Sequence, residues 1–174
     1  MFEQLPTVMA PWYMHIKLVH LLAVMVWMWS AAAAYAFYLV PAFKAWRRNP
    51  QDPQVRALRD WTLERFDQVV IYEHIAFPIV LVTGPLLYYV GGFTTSFAWL
   101  SLKLLIVVGI FIPLEILDYY LAHFGGNKRR VRETGDKVAY ELAVQRHWLF
   151  LLLSSPVVMV FGTLVVVLVV LKPL

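Results

Sequence analysis

A chain of 174 residues has room for one domain, or at most two small ones. Hydrophobic residues make up 61% of it and its mean hydropathy is +0.67, well above the roughly 45–50% apolar share of soluble domains; that excludes a soluble globular domain and points to an integral membrane protein. The lack of cysteine excludes a disulfide framework, a thiolate-held iron–sulfur cluster, a covalently attached c-type haem and any Cys-based copper or zinc site, while the net charge of +4 sits in short loops, where it sets topology rather than binding nucleic acid.

The chain opens MFEQLPTVMAPW, without the basic region, apolar core and small-residue cleavage site of a secretory leader. The first apolar stretch, 13–43, is therefore expected to stay as an anchor. KAWRRNPQDPQVRALRDWTLERF follows, broken by Pro50 and Pro53 and amphipathic beyond them. A second stretch covers 67–90, and the uncharged turn GGFTTS leads to a third at 97–124. GGNKRRVRETGDKVAYELAVQR comes next, opened by two glycines that suit a helix stop. The fourth stretch covers 147–171. Each is long enough to cross a hydrocarbon core, which takes about 20 helical residues.

Topology follows from the loops. Lys44, Arg47, Arg48, Arg56, Arg59 and Arg65 fall in the first, and Lys128, Arg129, Arg130, Arg132, Lys137 and Arg146 in the third. Cytoplasmic loops collect Lys and Arg, so both basic loops are expected inside and both termini outside. Trp12, Tyr13, Trp46, Trp99 and Trp148 lie near span ends, where amphipathic rings anchor. Short connections predict a single all-α domain over 1–174, an antiparallel up-down-up-down four-helix transmembrane bundle in a bacterial inner membrane.

Polar residues inside apolar stretches carry the functional signal. A titratable side chain at membrane depth costs roughly 2.5–3.5 kcal/mol on insertion scales, so it needs a partner or a task. On the first span Lys17, His20, Trp27, Tyr35 and Tyr38 share an arc of about 80°, and on the third Lys103, Glu115 and Asp118 lie within about 120°. Depth sorts them into an outer layer of Lys17, His20 and Lys103. An inner layer holds Glu73, His74, Glu115, Asp118, Tyr35 and Tyr38, with Ser154 and Ser155 at comparable depth.

Plainer roles stand beside the functional ones. Lys17 is close enough to its helix end to snorkel, and His15 points away from His20 as an interfacial residue. His123 and His147 flank a basic loop and are expected to be solvated. Glu115 and Asp118 either relay protons or satisfy charge with Lys103 or Arg146. Trp27, Tyr35 and Tyr38 pack the core first. For His20 a hydrogen-bonded core histidine and a metal ligand are both open. A di-iron carboxylate site would want paired Glu-x-x-His motifs; the chain has adjacent Glu73-His74 and Glu115-x-x-Asp118 instead.

Three segments resemble the small HemJ-type haem-binding membrane proteins, protoporphyrinogen IX oxidases, and the CopD-like superfamily around them. IKLVHLLAVMVWMWSAAAAYAFYLVPAF is similar to that family's opening helix, FAWLSLKLLIVVG to its entry into the third, and LVVVLVVLKPL to its ending. HIAFPIVLVTGPLLYY is a looser match to the second helix. The chain departs from the pattern at PLEILDYY, where the family carries a histidine and a basic motif, and in having Glu73-His74.

The resemblance implies b-type haem with His20 as a candidate axial ligand. It implies Lys103 either as an axial ligand or, preferred because an anionic partner restores the charge that desolvation opposes, as the partner of a propionate. The leading reading adds His74 or another histidine at a second site. In that leading reading Lys103 and Lys17 hold haem propionates or an acidic substrate, and Glu115 and Asp118 relay protons. The implied activity is protoporphyrinogen IX oxidation with electrons passed to quinone. Two alternatives stay open: a non-enzymatic electron-transfer or assembly subunit of a membrane complex, and a CopD-like copper-handling protein. Membrane lipid, quinone or porphyrin, and copies of itself or other subunits are the expected partners, and nucleic acid is not.

Overall fold

The computed structural model of the chain describes residues 8–172. The expectation of no leader peptide rests in part on residues 1–7, and the KPL ending on 173–174, which lie outside the described residues. Helix α1 is built of Tyr13–Ala34, a wide π turn Tyr35–Leu39 and Val40–Arg48. Helix α2 joins Pro53–Val69 to Ile71–Val90. Helix α3 comprises Ala98–Ile106, a second π turn Val107–Phe111 and Ile112–His123. A short α4, Lys128–Glu133, precedes the long α5, Lys137–Leu171. No strand occurs among the described residues.

Four helices are long and apolar enough to cross a membrane. They reach further at the basic-loop end than hydropathy suggests. Asp52 caps α2 by accepting from the backbone N–H of Gln54 and Val55, with Pro53 already holding a helical φ. Asp136 caps α5 in the same way on Val138 and Ala139. Most of both expected loops is therefore helix. At 1.5 Å per residue, the 35 residues of α5 make a rod of about 50 Å, longer than the roughly 30 Å hydrocarbon core.

Two buried clusters show how the helices pair. At the basic-loop end, Leu39 and Phe43 of α1 meet Leu63, Phe66 and Val70 of α2, Ala122 of α3, and Val144 and Trp148 of α5. At the other end, Ala23 and Trp27 meet Ala76 and Phe77, Trp99, Leu100 and Phe111, and Leu168. The end of one helix thus packs with the start of the next, so successive helices run antiparallel.

Both π turns stop one residue short of an X-Pro step, at Pro41 and Pro113. Proline has no N–H and its ring crowds the carbonyl four residues back; a wider turn relieves both problems within a continuous helix. The extra residue also rotates whatever follows. Tyr38, expected on the inward stripe, is 68% exposed, and Leu39 is fully buried in its place. This corrects the α1 face read at constant helical phase.

Candidate functional site

Of the expected inner layer, His74 and Asp118 belong to a connected array of polar groups from four helices, all buried except the half-buried His123. Asp118 of α3 is its hub: Oδ2 accepts from His74 Nε2 at 3.1 Å and Oδ1 from His147 Nε2 at 3.0 Å. His74 Nδ1 continues to His123 Nε2 at 2.8 Å. Beyond His147, its Nδ1 meets the Lys128 ammonium and lies 3.3 Å from Asp67 Oδ1. Lys128 Nζ also donates to Asp67 Oδ1 at 2.9 Å and to the Leu121 carbonyl at 3.0 Å. All three of its N–H donors are used, as a fully buried ammonium requires.

Local sequence explains how these residues meet. Leu63, Phe66, Asp67, Val70 and His74 recur at three- and four-residue steps, so one face of α2 presents both Asp67 and His74 to the core. On α3, Leu121 and Ala122 share the buried face with Asp118. Lys128 arrives through a tight turn after α3. A Cβ at Gly126 would lie 2.6 Å from the Leu121 carbonyl oxygen, so only glycine lets the chain fold back this closely. Asn127 completes the turn, accepting from Arg130 N–H and donating to the Ala122 carbonyl.

His123 and Asp67 both line a cleft of about 290 Å³ at the basic-loop end, beside Glu64 and Arg129. Both ends of the array therefore reach the same opening. His123 is half-buried, whereas His147 is fully buried. The expected solvated pair is corrected: His147 is a core member and His123 its partly exposed neighbour. The apolar surroundings of Phe66 and Phe150 around the His147 ring remove the solvent that would otherwise satisfy it.

Deeper in, Trp27 Nε1 of α1 donates to Glu115 Oε1 at 2.6 Å, while its ring packs on Phe77 and Phe111. Glu73 neighbours Glu115, and each keeps one buried carboxyl oxygen, Oε2, without a hydrogen-bond partner. Neither Glu115 nor Asp118 pairs with Lys103 or Arg146. Asp118 takes imidazoles and Glu115 takes an indole instead.

The outer layer centres on His20. Its Nδ1 lies 2.8 Å from Thr83 Oγ1 of α2. Thr83 has a single hydroxyl proton and gives it to the Ile79 carbonyl at 2.6 Å, so toward His20 it acts as acceptor. His20 is thereby held as the Nδ1–H tautomer with its lone pair on Nε2. A fixed Nδ1–H bond is the usual support of a metal-ligating imidazole. Gly84 lies against the ring edge, where a Cβ would make ordinary van der Waals contact with Cε1 at 3.6 Å.

Lys103 is partly buried, and the His20 Nδ1 bond goes to Thr83 rather than to it. Lys17 is exposed. His74 lies apart from His20, one half-bundle away, and both of its ring nitrogens are engaged. To ligate iron it would have to give up one of these two hydrogen bonds. Tyr35 stacks on Trp148, and Ser154 is buried beside the array's half of α5. Asp67 and Lys128 were not singled out from sequence. The helical phase of α2 carried the signal for Asp67; for Lys128, placed by a turn, there was none.

No three His, Asp or Glu side chains converge as metal ligands among the described residues. The fit to haem is therefore partial: one axial position at His20, with cationic lysine nearby. Fold and site together define an all-helical protein of the membrane-spanning class with two polar centres, a tautomer-fixed histidine and an imidazole–carboxylate array. Compared with known proteins, the chain matches no family model, no curated protein and no solved structure.

Proposed function

We propose that this is an integral membrane redox protein carrying b-type haem on His20. One observation supports it above the rest: Thr83 directs the His20 proton to Nδ1 and so leaves Nε2 free to ligate. Haem bound there would supply one-electron redox chemistry. Lys103, and Lys17 at the exposed helix end, are the cations suited to propionates or to an acidic porphyrin substrate. Glu115 and Asp118, three residues apart on α3, handle protons between the two polar centres. By the loop charges, the basic end faces the cytoplasm and both termini lie outside; we read the membrane as a bacterial inner membrane.

Copper handling has less support, because copper wants several converging ligands and the described residues offer no such group. Oxidation of protoporphyrinogen IX with electrons passed to quinone, and electron transfer without turnover in a larger complex, would use the same haem site. Absorption spectra of the purified protein, oxidised and reduced, test the haem. A Soret band that shifts on reduction is expected, and a colourless protein would overturn it. Rescue of a strain lacking its own oxidase then separates the enzyme from the electron-transfer subunit.

A further inference from the structure

The array around Asp118 has a charge imbalance that its geometry makes meaningful. With its histidines neutral, Asp67 and Asp118 bring two negative charges against the single positive charge of Lys128. A buried site of low polarity favours neutrality, so one added proton completes it. Three imidazoles are strung along hydrogen bonds to receive that proton. Asp67 Oδ2 is buried without a partner at the edge of the cleft, which marks the array as incomplete on that side.

We propose that the array is a proton-loading site that takes one proton from water in the basic-end cleft through His123 and holds it on His74 against Asp118. His123 lines the cleft and spends Nε2 on His74, leaving Nδ1 as the nitrogen that takes protons from outside. In the transfer, an N–H bond forms at His123 Nδ1 from hydronium, which becomes water. The His123 Nε2–H bond breaks as its proton passes to His74 Nδ1. His74 becomes imidazolium and keeps its Nε2–H on Asp118 Oδ2; His123 returns to neutral as the other tautomer.

The charged and titratable groups facing His74 and His123 come from every neighbouring helix. α2 contributes Asp67 and Glu73, and α3 contributes Glu115, Asp118 and Tyr119. α4 contributes Lys128 and α5 His147, while Glu64 and Arg129 stand at the cleft. The proposal extends the proton handling of Glu115 and Asp118 to its solvent-side source. It needs no haem, so a colourless protein would remove the redox function and leave this site standing.

The test is a pH titration of the full chain in detergent micelles, labelled with 15N at histidine. His74 and His123 are expected to change together in one step. Asp118→Asn, which removes the charge that the proton neutralises, should weaken uptake about tenfold or more. His123→Gln keeps a donor toward His74 but cannot relay; it should leave uptake in place and slow proton exchange at His74. Separate, independent titrations of His74 and His123, or uptake unchanged in Asp118→Asn, would overturn the proposal. If Asp118→Asn does not fold, His123→Gln decides: unchanged exchange at His74 overturns the relay.

Discussion

Thr83 sets which nitrogen of His20 carries the proton. The hydroxyl gives its only hydrogen to the Ile79 carbonyl and receives the His20 Nδ1–H across the α1–α2 interface. A threonine that bonds back to its own helix would ordinarily be a local matter. Here it leaves one imidazole nitrogen unprotonated at membrane depth, which is the property a haem ligand needs.

Thr83→Val keeps the side chain's shape and removes the acceptor. The His20 ring would lose its orientation, and haem retention is expected to fall about ten- to hundredfold, the range for loss of such supporting contacts. Titrating haem into the apoprotein measures this. Equal affinity in variant and parent would show that Thr83 does not orient the ligand.

Arg59 joins α2 to α5. Its guanidinium donates to both Glu141 oxygens at 2.9 and 2.7 Å, reaches Asp60 at 2.8 Å and lies 4.5 Å from the centre of the Trp46 ring. Arg59→Met retains much of the packing and removes the forked contacts, for an expected loss of about 1–3 kcal/mol. Unfolding by SDS titration of the detergent-solubilised protein reads the loss. A variant as stable as the parent would make the cluster energetically silent.

Gly126→Ala would force the turn after α3 away from Leu121, since the new Cβ lies 2.6 Å from that carbonyl oxygen. Lys128 would then withdraw from Asp67 and His147. Strain and the lost ion pair together should cost about 2–5 kcal/mol. The same SDS titration checks it, and a change within experimental scatter would mean that the turn adjusts freely.

Much of this molecule was legible in its sequence, and the rest was not for definite reasons. Four apolar stretches at membrane length gave four helices compatible with a membrane bundle, because hydropathy and length are local properties. Asp118 and His74 emerged as a buried pair, with Glu115 partly buried beside Trp27, because charge in an apolar run stands out. Tyr38 was misassigned because a π turn breaks the constant helical phase. His147 and Lys128 lay hidden among basic loop residues. Their burial depends on Asp136 extending α5 and on Gly126 turning the chain back under α3. Those are tertiary consequences of a cap and a turn.

The central claim, haem on His20 rather than on His74, is tested most directly by one paired measurement. The parent, His20→Ala and His74→Gln are purified side by side and their reduced-minus-oxidised spectra compared at equal protein concentration. The account predicts a haem spectrum in the parent, its loss in His20→Ala, and its retention in His74→Gln, where an amide can still donate to Asp118. Haem kept by His20→Ala but lost from His74→Gln, or absent from all three, would contradict it.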